Sequence, residues 1–161
     1  MLSPPLSRDC TLPASLGVAG DIFHELPIAV EAERVYRAVS TPTGLDQWWT
    51  KRSSGRAQLG AQFDLWFGPE YQWQAQVTEC VPGEIFEIEM TTATRDWLHT
   101  RVGFELVSGE SRTQLQFHHT GWQERNEHFR VSSYCWAMYL RVLKRWLEHG
   151  EVVEYERRLD V

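Results

Sequence analysis

The chain lacks most of the signals that announce a chemistry directly. It has 161 residues and three cysteines. Cys10, Cys80 and Cys135 share no metal-type spacing and are an odd number, so we read them as reduced thiols of a cytoplasmic protein. The six histidines are scattered, with no HExxH or CxxC pattern, and no metal site is expected. No GxSxG elbow occurs, because Ser53, Ser54 and Gly55 read as an ordinary polar loop. No glycine-rich phosphate loop occurs either, since Gly103 and Gly109 stand alone, and no cofactor is expected. Basic residues are outnumbered, with 16 Lys and Arg against 22 Asp and Glu and a net charge of −6. That balance argues against nucleic acid as a partner, which needs a basic face. No apolar run approaches the roughly 18 residues needed to span a bilayer, so no membrane insertion is expected. The N-terminus shows no basic segment ahead of an apolar one, and no signal peptide is expected.

What the chain has in abundance is aromatic. Aromatic residues make up 12%, with eight Trp, in an otherwise ordinary composition of 42% hydrophobic and 24% charged residues. Such bulky rings must be accommodated inside the protein or around a pocket. The length suits one domain, which at this size buries roughly two-thirds of its unfolded surface without a staple.

Residues 1–20 hold Pro4, Pro5 and Pro13 and no period, and read as a flexible N-terminal arm. Residues 21–150 read as the domain. A first strand covers 21–30, with Pro27 suited to an edge because it cannot donate to a ladder. A helix over 31–40 presents Val35, Ala38 and Val39. Thr41-Pro42 ends it, and a second short helix runs to Trp48-Trp49. One of those rings is expected to seal the core and the other to lie near the surface.

From residue 61 the period changes to two. Phe63, Leu65 and Phe67 alternate with Gln62, Asp64 and Trp66, and Tyr71, Trp73, Ala75 and Val77 alternate with Gln72, Gln74, Gln76 and Thr78. Phe86, Ile88 and Met90 follow, then Val102, Phe104 and Leu106, then Leu115, Phe117 and His119. Five strands at hairpin spacing plus the first imply a curved antiparallel sheet of six to seven strands, wet on one face and apolar on the other. The apolar face needs a cover. Residues 126–149 supply it, with Phe129, Ser133, Trp136, Leu140, Leu143 and Leu147 on one side of a helix about 35 Å long. The architecture is α+β. Residues 151–161 form a C-terminal tail, left open between a loose end, an edge strand and an interface segment.

Leu65, Phe67, Trp73, Met90, Phe104, Phe117, Trp136 and Tyr139 face inward between sheet and helix. They either fill a solid core or line a pocket, and the small Ser132, Ser133 and Ala137 favour space under the first half of the helix. His118 and His119 are adjacent in a strand, point to opposite faces, and so cannot readily chelate one metal. His119 faces inward, as a polar anchor, an acid–base group, or a structural histidine bonded to its surroundings. His118, Glu87, Glu89, Glu105 and Asp64 fall on the outer face, where pairs with Arg101 or Arg112 contribute modestly.

The order of short motifs resembles the SRPBCC (START-like, Bet v 1-like) superfamily, in the branch of the activator of Hsp90 ATPase homologue. The matching residues are Val35-Tyr36-Arg37-Ala38, Ser40-Thr41-Pro42 and Leu45-Asp46-Gln47-Trp48-Trp49, then Gly60-Ala61-Gln62-Phe63. Val77-Thr78-Glu79 with Pro82, Phe104-Glu105-Leu106, Thr113-Gln114-Leu115, His119-Thr120-Gly121-Trp122 and Cys135-Trp136 continue it. The resemblance implies a helix-grip fold and a hydrophobic, lipid-like or polyketide-like small molecule bound between sheet and terminal helix. Leu65, Phe67, Trp73, Met90, Phe104, Phe117, His119, Ser133, Trp136 and Tyr139 would line the site, with no catalysis required. An enzyme of the cyclase or dehydratase type would use the same cavity, with His119 or Tyr139 moving protons. A stress- or chaperone-linked interaction protein is the third expectation, although the Hsp90-activating relative has a further domain that these residues do not contain. Relatives often pair, which makes a homodimer an expectation as well.

Overall fold

The period-two segments pair one after another. A computed structural model, which describes residues 18–160, forms seven antiparallel strands: β1 (Gly20–Ile28), β2 (Arg52–Ser54), β3 (Gln62–Gly68), β4 (Tyr71–Val81), β5 (Ile85–Thr92), β6 (Arg101–Gly109) and β7 (Arg112–Trp122). The expected N-terminal arm lies, apart from its end, outside the described residues. The strand order is β1-β7-β6-β5-β4-β3-β2, so β1 and β2 are the edges and Pro27 sits on one of them. The strand not anticipated is β2, because three residues are too few to display a period. Register shifts interrupt the ladders at Trp66/Gly68, Gln74/Ala75 and Val77/Glu79. Each such bulge bends its strand, so the sheet curves toward its apolar face.

Three helices occupy that side: α1 (Ala32–Ser40), α2 (Pro42–Trp48) and α3 (Glu127–His149). In α2 a proline opens the first turn and the Thr41 hydroxyl accepts from the Gly44 N–H at 3.2 Å. In α3 the Asn126 side chain accepts from the Phe129 N–H at 2.9 Å. Gly150 closes α3 at φ 66°, a left-handed conformation in which a Cβ would be strained. The face that α3 buries includes Ser132, Trp136, Leu140, Val142, Leu143 and Leu147. Ser132 is therefore deeper than Ser133, whose carbonyl instead accepts from His24 Nε2 on β1 at 3.1 Å.

Trp48 and Trp49 are both buried, contrary to the expectation that one would lie near the surface. The Trp48 indole donates to the Ala38 carbonyl at 3.0 Å and packs edge-on to Phe104. Beyond Gly150 the chain makes no further strand among the described residues but a short 3-10 turn, Tyr155–Arg157. Arg158 then turns inward and is buried. It donates to the carbonyls of Asp46 at 2.6 Å, Thr50 at 3.0 Å and Val153 at 3.2 Å, which ties the tail to the end of α2.

The outer face also departs from simple alternation. Glu87 lies on it as expected but is only 7% exposed rather than solvated. His118 covers it, with Nε2 at 2.7 Å, and Thr78 donates to its other oxygen at 2.7 Å. Arg101 adds a contact at 3.6 Å. The His118 contact is the main reason the Glu87 carboxyl is held below the usual carboxylate range. Gly103 makes the arrangement possible: a Cβ there would meet His118 Nε2 at 2.2 Å. Replacing Gly103 by Ala should therefore push the imidazole off Glu87. Leaving a buried carboxylate short of a partner costs about 1–3 kcal/mol. A shift of that size in the urea unfolding free energy is expected, and an unchanged value would show that the ring moves aside freely.

Candidate functional site

The concave face is filled mainly by indole. Trp136, from the middle of α3, lies 4.9 Å from Trp49, 4.5 Å from Phe117 and 5.8 Å from Trp97 by ring centroids. Its N–H donates to His119 Nδ1 at 3.0 Å. Nδ1 is thus an acceptor, so Nε2 carries the proton and donates to the Thr100 hydroxyl at 2.8 Å. That hydroxyl donates in turn to the Trp97 carbonyl at 2.6 Å. Both imidazole nitrogens are engaged and the ring is fully buried. Burial drives its pKa down to about 3, so His119 stays neutral. The geometry is that of a structural histidine holding Trp136, not of a group free to exchange protons with a substrate.

Trp97 reaches this centre from the connection between β5 and β6. Its backbone N–H and that of Leu98 both bond the Thr94 carbonyl at 3.0 Å, and His99 follows at φ 64°. Its indole N–H donates to Ser132 Oγ at 3.2 Å. Asp96 accepts from the Asn126 amide at 3.3 Å and pairs with His128 Nδ1 at 3.0 Å. The His128 contact is the main reason the Asp96 carboxyl sits below its usual range. Asn126 therefore caps α3 with its oxygen and ties the Trp97 turn to the helix with its nitrogen.

A cleft of about 220 Å³ opens beside this cluster. Phe67, Tyr71 and Trp73 from the β3–β4 hairpin form one wall. Ser132, Cys135 and Tyr139 from α3 form another, Trp49 and Tyr155 close the back, and Trp97 and Trp136 make the floor. Tyr155 is held in place by its hydroxyl, which donates to the Phe67 carbonyl at 3.0 Å. Phe67 and Trp73 meet edge to face at 5.1 Å, and Trp73 meets Trp97 at 5.0 Å. Burial pushes the Tyr139 phenol up to about 12 and the Cys135 thiol above its ordinary value, so both are protonated at neutral pH. No cluster of metal-ligating side chains occurs among the described residues.

Of the residues singled out in the sequence, Phe67, Trp73, Trp136 and Tyr139 line this cleft. Leu65, Met90, Phe104 and Phe117 lie in the packed core, His119 lies beneath Trp136, and Ser133 is outside the cleft lining, its carbonyl bonded by His24 of β1. The cleft walls that sequence reasoning missed are Trp49, Trp97, His128, Val131, Cys135 and Tyr155. The small Ser132 reads as leaving space under the helix, Tyr71 shares the strand phase of Trp73, and the high aromatic content points to ring-lined space. Nothing periodic marks a turn residue such as Trp97.

The sequence model of the family described as Activator of Hsp90 ATPase homolog 1-like protein matches residues 29–148. Among solved structures, the Aha1 dimer from Colwellia psychrerythraea is 28% identical, covers 82% of this chain and 98% of its own, and superposes with a TM-score of 0.75. MLL2253 from Mesorhizobium loti is 18% identical over 83% of this chain and 100% of its own, with a TM-score of 0.72. CalU16 from Micromonospora echinospora is 18% identical over 88% and 83%, with a TM-score of 0.68. The last two are similar in fold alone. No curated protein matches the chain.

The buried imidazole makes stability depend on acid. An ordinary histidine takes its proton near pH 6.5, whereas His119 takes one in the folded state only near about 3. Between those values the unfolded chain binds a proton that the folded chain refuses. The His119 contribution is complete above about pH 6.5 and falls on acidification by about 1.4 kcal/mol per pH unit. His119→Gln can still accept from Trp136 and donate to Thr100. It should lose less stability than the parent between pH 7 and pH 5, read from urea midpoints, and parallel losses would refute the assignment.

Proposed function

We propose a function from a fixed premise: the chain belongs to the Activator of Hsp90 ATPase homolog 1-like family, a branch of the SRPBCC superfamily with the helix-grip fold. The chain binds a neutral hydrophobic or aromatic small molecule, lipid-like or polyketide-like, in the cleft between the β3–β4 hairpin and the first half of α3, and needs no catalysis to do so. The observation that carries this reading is the lining. Rings form most of the walls, and no Asp, Glu, Lys or Arg lines the cleft among the described residues. Flat, uncharged ligands stack on such surfaces and leave no buried charge unpaired. Location in the cytoplasm and pairing into a homodimer belong to the same proposal. The dimeric Colwellia relative supports the pairing, and no described helix is long and apolar enough to cross a membrane.

The geometry gives less support to a cyclase or dehydratase. Both nitrogens of His119 are engaged, and Tyr139 keeps its proton until about pH 12, so neither is a ready base. Nor does the cleft supply what a surface-acting, chaperone-linked protein would need.

Titration with naphthol should quench Trp emission saturably, because indoles form the cleft floor. Cys135→Phe places a ring in the cleft without removing a hydrogen bond, and should weaken binding about tenfold or more, the equivalent of losing one well-packed aromatic contact. Quenching that never saturates, or a Cys135→Phe protein that binds as well as the parent, would count decisively against the site.

A further inference from the structure

We infer that Trp97 sets the size limit of the cleft and so selects one- and two-ring planar ligands over larger fused systems. This rests on the cleft being a ligand site, as proposed above. An apolar cavity of about 150 Å³ accepts a single benzene ring, whereas pockets for drug-sized ligands run to about 300–1,000 Å³. The cleft, at about 220 Å³, lies between the two.

The reason it stops there is Trp97. The indole touches Trp73 at 5.0 Å and Trp136 at 5.8 Å, which line the cleft. It also touches His119 at 4.5 Å and Trp122 at 6.1 Å, which do not. It is therefore a partition between the open space and the deeper core. Trp122 also carries a buried N–H with no hydrogen-bond partner among the described residues. A buried donor left unpaired is a place where a polar ligand atom gains most.

The partition is held firmly. The turn that carries it is closed by two bonds to the Thr94 carbonyl and one from the Thr100 hydroxyl. Its indole is tied to Ser132 and its neighbour Asp96 to α3. A ring so fastened excludes by volume rather than yielding to whatever enters. Removing it would extend the cleft toward Trp122 and His119.

The test is a series of fluorescent or absorbing probes of rising size: phenol, naphthol, anthracene-methanol and hydroxypyrene. Anisotropy of the probe, or calorimetry for phenol, reads binding without relying on protein emission. The parent protein should bind phenol and naphthol and lose about tenfold or more in affinity by hydroxypyrene, the equivalent of one misplaced ring contact. Trp97→Ala should move the limit so that hydroxypyrene binds at least as tightly as naphthol. Trp97→Phe, which preserves a packed ring, should move it part of the way and covers the case in which the alanine variant does not fold. A parent protein that takes hydroxypyrene as readily as naphthol overturns the inference. So do variants that keep the parental ranking while still binding naphthol. If no protein binds any probe, the cleft reading itself fails and the size limit with it.

Discussion

The hydrogen bond from the Trp136 indole to His119 Nδ1 joins the two layers at the point where the rest of the interior converges. Trp136 comes from α3 and His119 from β7, so a single 3.0 Å contact locks helix to sheet. Its direction dictates the tautomer of the imidazole. The tautomer dictates the bond to Thr100, and Thr100 in turn fastens the carbonyl of Trp97. Burying an imidazole is tolerable only when both nitrogens are satisfied. The chain that satisfies them also places the two indoles that floor the cleft.

Around that point the fold balances closure and space. The bulges in β3 and β4 bend the sheet, and the second half of α3 fills the bend with Leu140, Leu143 and Leu147. The first half of α3 presents Ser132 and Cys135, which fill less. The resulting gap is narrowed from one side by Trp97 and from the other by Tyr155, whose turn is anchored by Arg158 to α2. A buried guanidinium satisfied by three backbone carbonyls makes the C-terminal residues part of the site.

Much of this was legible in the chain. Alternation placed Phe63, Leu65, Phe86, Ile88, Phe104 and Phe117 on the buried face, and the helical stripe placed Trp136, Leu140, Leu143 and Leu147 against it. Those readings succeed because a strand or helix repeats its environment at a constant interval. The site was less legible. Phe67, Trp73, Trp136 and Tyr139 belong to such repeats, whereas Trp97 and Tyr155 belong to turns and owe their inward direction to contacts remote in sequence. Ser132 and Ser133 differ by one helical step, and only the path of α3 across β1 decides which of them meets Trp97 and which meets His24.

The sequence by itself determined the class of the fold, the phase of the five long hairpin strands, the helix that covers them and the family. Each of these follows from periodicity or from motif order along the chain. Tertiary structure decided how much space was left, because that depends on residual volume between layers rather than on which residues face inward. It also decided the protonation of His119 and the burial of Glu87. Both are set by partners brought together across the sheet, Thr100 and Trp136 for one and Thr78 and His118 for the other. A period reports a direction, and only packing reports what lies there.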